Sequence, residues 1–169
     1  VYVGVEAMRR LSQHQADVYF VGTVQEEVGL RGARTSAFAL APEIAVALDV
    51  TLACDMPGVQ EHEYITRLGQ GVAIKLKDSA SISHPGLVQF LIDLAEEEKI
   101  PYQLEILPRG GTDAGAMQLA REGAAAVTLS VPTRYVHSVV EAAHKRDIQA
   151  AIELLVAFLA RCHQADLKL

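Results

Sequence analysis

Val18-Tyr19-Phe20-Val21-Gly22-Thr23-Val24-Gln25-Glu26-Glu27-Val28-Gly29 runs from apolar residues straight into two adjacent carboxylates. Asp17 to Thr23 reads as a buried strand. A strand ending in paired acids puts charge at the rim of a sheet, where open α/β folds place their chemistry. Side chains at consecutive strand positions point to different sides. Glu26 and Glu27 are therefore suited to different tasks, one at a cation and one toward a water. The same pair also suits a plain solvated loop.

Outward from this stretch, helical and extended patterns alternate. Val1 to Leu11 carries apolar residues at helical spacing with no capping residue in front, as if it began inside a helix, and the expectation is that sequence precedes it. Leu30 to Leu40 reads as a short helix, and Ile44 to Leu52 as a strand holding a lone carboxylate, Asp49. Met56-Pro57-Gly58 breaks the chain, and Gln60 to Gly71 is polar and loop-like. Val72 to Lys77 alternates as a half-buried strand near a sheet edge should. His84-Pro85-Gly86 opens an amphipathic helix through Lys99, with Leu87, Phe90, Leu91 and Leu94 on its apolar face. Tyr102 to Leu107 and Ala124 to Val131 read as strands, separated by a helix over Ala114 to Arg121. A last helix covers Asp147 to Arg161, with Ile148, Ile152, Leu155 and Leu159 toward the core. This alternation predicts a three-layer α/β/α fold with a mixed, largely parallel sheet.

The 169 residues and their 50% hydrophobic content suit one domain with a sizeable core. A net charge of -6 and no basic cluster interleaved with aromatics argue against nucleic acid. No apolar run approaches the roughly 20 residues that cross a bilayer, and no charged-then-apolar leader opens the chain, so the expectation is a cytoplasmic protein without a membrane partner. Cys54 and Cys162 have no CxxC spacing and read as ordinary thiols.

Three strand ends then offer polar groups: Glu26 with Glu27, Asp49, and His137. Carboxylate oxygen and imidazole nitrogen together suit zinc, cobalt or manganese. A carboxylate within the buried strand Ala47-Leu48-Asp49-Val50 needs a partner to offset desolvation, which a bound ion would supply. A lone histidine at a strand end is as readily a hydrogen-bonded structural residue. Gly110-Gly111-Thr112-Asp113 precedes a helix whose free amides suit an anion or a carbonyl oxygen, although Thr112 and Asp113 equally suit simple caps. No GxxxxGK[ST], GxSxG or HExxH pattern is present, which removes nucleotide hydrolases of that type, elbow-type serine hydrolases and zincins. Arg31, Arg34 and Arg134 favour surface pairing over recognition of acidic substrates.

Four motifs in order carry a resemblance: Gln25-Glu26-Glu27-Val28-Gly29-Leu30-Arg31-Gly32-Ala33, Ala47-Leu48-Asp49-Val50-Thr51, Gly110-Gly111-Thr112-Asp113-Ala114-Gly115 and Arg134-Tyr135-Val136-His137-Ser138. Over nearly its whole length the chain resembles the C-terminal half of a dinuclear metallo-aminopeptidase of the glutamyl or deblocking type that assembles into tetrahedral (TET) particles. The resemblance implies that Glu26 is the general acid/base, Glu27 a ligand of one metal with His137, and Asp49 a ligand of the other. Gly111, Thr112 and Asp113 take a weaker, substrate-binding role. It also implies two divalent ions, zinc or cobalt and less often manganese, peptide substrates cleaved at their N-terminus, and a homo-oligomer, a dodecamer.

Relatives of this type contribute a histidine and a bridging aspartate from before the position of Val1, together with an inserted dimerisation subdomain. Residues 1–169 are thus expected to be a single portion of a catalytic domain, truncated at its N-terminus. The alternatives are another hydrolase on the same scaffold, such as a carboxypeptidase, a deacylase or a protein described as an endoglucanase, or a catalytically inert scaffold or assembly module. Adjacent acids flank a sugar bond poorly, which ranks the endoglucanase low.

Overall fold

Residues 1–168 are described by a computed structural model. In chain order the elements are α1 (Tyr2–Arg10), α2 (Arg31–Leu40), β1 (Ile44–Leu52), β2 (Val72–Lys77), α3 (Pro85–Glu97), β3 (Tyr102–Ile106), α4 (Ala114–Met117), β4 (Ala125–Arg134), β5 (Ala142–Ala143) and α5 (Lys145–Arg161). The sheet runs β1-β4-β2-β3, with the short β5 paired to the end of β4. β1 is parallel to β4 and β2 parallel to β3, while β2 meets β4 antiparallel, so the sheet is mixed.

Strand periodicity sorts the side chains between two layers. Leu48 of β1, Val127 and Leu129 of β4 and Ile74 of β2 belong to the main core, with Leu87 and Leu91 of α3 and Leu154 and Phe158 of α5. Each fully buried leucine or phenylalanine there contributes about 1.5–3 kcal/mol. Ala45, Ala47 and Ala126 lie on the opposite face against Ala114 of α4, where small side chains let the short helix approach closely. Helices thus cover both faces, giving three α/β/α layers.

Local chemistry sets several element ends. Pro85 occupies the first turn of α3, where its missing N–H is no loss. His144 caps α5 by accepting from the Arg146 N–H. At the far end of α5, Arg161 reaches Glu97 and Glu98 and ties it to α3.

The structure departs from the sequence expectation in four places. Asp17 to Thr23 forms no strand. Among the described residues it has no sheet partner, and a cleft of about 780 Å³ separates it from β1. An extended segment without a ladder is not a strand, and Tyr19, Phe20 and Val21 are consequently exposed. The helix expected over Ala114 to Arg121 stops at Met117, because Arg121 and Gly123 adopt left-handed φ values that turn the chain back toward β4. β4 continues past Val131 to Arg134 along β1. β2 lies between β4 and β3 rather than near an edge, and its outward lysine, Lys75, is buried because Glu105 of β3 neutralises it.

Asp147 shows how a buried charge is satisfied in this fold. It is fully buried, and its carboxylate accepts from the backbone N–H groups of Gly69 (2.7 Å) and Gly71 (2.8 Å). The first turn of α5 thereby holds the loop that feeds β2. Asp147→Ala strands both N–H groups and is expected to lower stability by at least about 2 kcal/mol, read as a lower urea midpoint with an unchanged slope.

Candidate active site

Glu26 and Glu27 sit in a tight turn rather than on a strand end. Gln25 has φ +59°, and the Glu26 carbonyl accepts from Gly29 N (3.1 Å) and Leu30 N (2.9 Å). The turn leads directly into α2, whose N-terminal dipole favours nearby carboxylates. Gly32 donates to the Val24 carbonyl (2.9 Å), and a Cβ at Gly32 would lie 2.4 Å from Val24 N. Only glycine permits that approach, which fixes the acidic turn on the helix.

Asp49 projects from the alanine-lined face of β1, opposite Ser130 of β4. It is half-buried and accepts from the Val50 N–H at 2.7 Å. Burial raises its pKa above the ordinary carboxylate value. The Val50 N–H and the Lys75 charge oppose that rise, while Asp113 and Glu27 add to it.

β4 ends at Arg134, whose Nε donates to Asp55 Oδ1 (2.9 Å). Burial works to raise the Asp55 carboxyl, but the Arg134 bond, the Leu68 N–H and the guanidinium charge hold it below its usual value. This is the pairing expected of Arg134. Beyond it, Tyr135 and His137 both take positive φ, +60° and +64°. Two such residues in one turn store conformational strain of the kind found at functional sites. They turn the imidazole toward the acids, and His137 Nε2 lies 3.3 Å from Glu27 Oε1, with both side chains largely exposed.

In the third turn Thr112 is buried, shares a hydrogen bond with the Thr128 hydroxyl (2.9 Å) and donates to Asp78 (3.4 Å). Its hydroxyl is therefore engaged within the protein. Gly111 is exposed and packs on Ala80. Asp113 accepts from Thr23 Oγ1 at 2.6 Å, and its other oxygen, Oδ1, is buried without a partner. Neither side chain caps α4.

The groups share one field. Burial, then Asp49, Asp113 and Glu27, raise the Glu26 pKa, and His137 opposes them. Carboxylates crowded so that their like charges raise the pKa of one among them mark a place where a cation would relieve repulsion. Among the described residues, however, no three His, Cys, Asp or Glu side chains converge as a metal-binding group. Glu27 and His137 meet, while Asp49 feels the Glu27 charge and acts on Glu26 without being a close third donor. The donors thus fit a divalent ion in chemistry, carboxylate oxygen with imidazole nitrogen and an unpartnered buried carboxylate oxygen beside them, but they form a partial set.

Residues 1–154 match the sequence profile described as M42 glutamyl aminopeptidase. The chain belongs to the M42 glutamyl aminopeptidase family. It is 43% identical over 167 residues to the lysyl aminopeptidase of Pyrococcus furiosus, covering 98% of this chain and 47% of that protein. The solved aminopeptidase APDkam598 of Desulfurococcus kamchatkensis is 48% identical with a TM-score of 0.92, covering 94% of this chain and 45% of that one. The TET1 peptidase of Pyrococcus horikoshii, whose assembly is described as a tetrahedron or a large octahedral shell, is 34% identical with a TM-score of 0.69, covering 81% and 39%. The chain spans less than half the length of the curated relatives it matches. M42 peptidases are metal-dependent.

Sequence reasoning missed the Thr23–Asp113 bond and the Arg134–Asp55 clamp, which join segments too distant in sequence for spacing to relate them. It also missed Lys75 and Glu105. A lysine in phase with Ala73 on a buried strand, and a glutamate in the next strand of the chain, were signals for that pair.

The raised carboxyls set a sign for pH dependence. Glu26 and Asp49 have ordinary values of 4.5 and 3.8 and are raised on folding, so the folded protein binds more protons than the unfolded one above those values. Their burden on stability is absent in acid and grows with pH. In chelator-treated protein, Glu26→Gln/Asp49→Asn is expected to raise the thermal midpoint over wild type, the gap widening as pH rises above the ordinary carboxyl values of 4.5 and 3.8.

Proposed function

We propose that the protein carrying this chain is a metal-dependent aminopeptidase that hydrolyses the N-terminal bond of peptides, with residues 1–169 forming part of its catalytic domain. The observation that carries the reading is the Glu27–His137 contact beside Glu26, whose pKa is raised among neighbouring acids. Glu27 and His137 would hold one divalent ion and Asp49 would contribute to a second, zinc or cobalt being the best match to these donors and manganese a third choice. When bound, such ions supply Lewis acidity toward the scissile carbonyl and acidify a water.

Glu26 moves the proton. Its carboxylate is half-buried, and the raised pKa brings it nearer working pH, which suits a group that must accept a proton and then give it up. It takes the proton of the attacking water and returns it to the departing amine nitrogen. The acid-rich field of Glu27, Asp49 and Asp113 attracts the protonated N-terminus of a peptide, which favours cleavage at the chain end. The backbone at Gly111 to Asp113 would hold the substrate carbonyl. By likeness to the TET1 peptidase, one form of which is described as a dodecamer, the protein would work as a homo-oligomer of peptidase subunits, a dodecamer.

The test is amino-acid release from free and N-acetylated peptides by the full-length protein with added cobalt or zinc. Free peptides are expected to be cleaved and acetylated ones spared; equal cleavage of both overturns the exopeptidase reading. Glu26→Gln is expected to lower kcat by about 10²–10⁴-fold while the metal content stays unchanged.

A further inference from the structure

The face of the sheet that bears Asp49 changes character along its length. Its alanine end packs on α4, and its other end is a buried polar row comprising Thr51, Thr128, Ser130, Lys75 and Glu105. Asp49 neighbours Ser130 across β1 and β4, Ser130 neighbours Ala73 across β4 and β2, and Lys75 neighbours Glu105 across β2 and β3. The row therefore crosses all four main strands.

Lys75 Nζ lies 2.5 Å from Glu105 Oε1, with both side chains at 0% exposure. Thr51 Oγ1 donates to the same oxygen at 2.5 Å. β1 and β3 stand at opposite ends of the sheet order, so this contact passes across β4 and β2. Thr51 is two residues beyond Asp49 on the same strand and points to the same side.

Stability alone gives little reason for such a pair. Desolvating two charges consumes most of their attraction, and apolar residues of similar volume often serve the fold equally well. The pair does supply one thing apolar residues would not: a directional bond to the C-terminal part of β1. We propose that Lys75 and Glu105 are positioning residues for Asp49, locking Thr51 and with it the angle at which Asp49 enters the site. The inference rests on the reading of Asp49 as a metal ligand.

The experiment titrates cobalt into metal-free full-length protein, following the visible absorption of bound cobalt and the heat of binding, with thermal unfolding measured alongside. Lys75→Met/Glu105→Leu is expected to unfold no earlier than wild type yet bind cobalt about 10–100-fold more weakly, the loss typical when a group supporting a metal ligand is removed. Thr51→Val, which leaves the ion pair in place but cuts its link to β1, is expected to weaken cobalt binding in the same direction and decides the matter if the double variant does not fold. Unchanged cobalt affinity and spectrum in the folded double variant, or in Thr51→Val, overturns the proposal. Wild-type protein that takes up no cobalt overturns the metal reading itself and this inference with it, and is told apart because it needs no variant.

Discussion

The parallel ladder between β1 and β4, unbroken from Ile44 opposite Ala125 to Leu52 opposite Thr133, is the constraint on which the rest of the molecule depends. A slip of one residue would turn Asp49 into the apolar core and bring Leu48 to the site face. The alternation of large apolar and small or polar side chains on both strands forbids that slip. Because β4 runs on to Arg134, the same ladder delivers the strained turn that ends in His137. Asp55, just beyond β1, grips Arg134 and holds the two strand ends in step.

The fold handles acidic groups in two opposite ways. Asp147 is completely buried and receives two backbone N–H bonds, so its charge is answered locally and serves structure. Glu26, Asp49 and Asp113 lie less deeply and repel one another, and Asp113 keeps a buried oxygen without a partner. A fold selected only for stability would not collect carboxylates in this way. The charge gathered at this rim is therefore held against the fold's own stability, which the β1–β4 pairing and the α3–α5 core must sustain.

Much of this was legible in the sequence where the signal was periodic. β1 and β2 follow their runs of β-branched and alanine residues, and α3 and α5 follow their apolar stripes. The three segments bearing Glu27, Asp49 and His137 were legible as polar breaks after apolar runs, and of these side chains Glu27 and His137 come into contact. Pairing was not legible. Val18 to Val21 has strand composition, but composition does not say whether a neighbour is within reach. The strand bearing Lys75 read as a half-buried strand near an edge because its own pattern does not say that β4 lies on one side and Glu105 of β3 on the other. The positive φ values at Gln25, Tyr135 and His137 fall on residues that do not ordinarily favour them.

Among the described residues β1 has one neighbour only, and its other flank looks across the cleft toward Val18 to Thr23. Its outer row of N–H and C=O groups, framed by Val, Ile and Ala side chains, is a template for any chain that can lie extended beside it. Handled in isolation at high concentration, this polypeptide would recruit a second molecule along that seam, and its solubility would be governed by how the seam is closed.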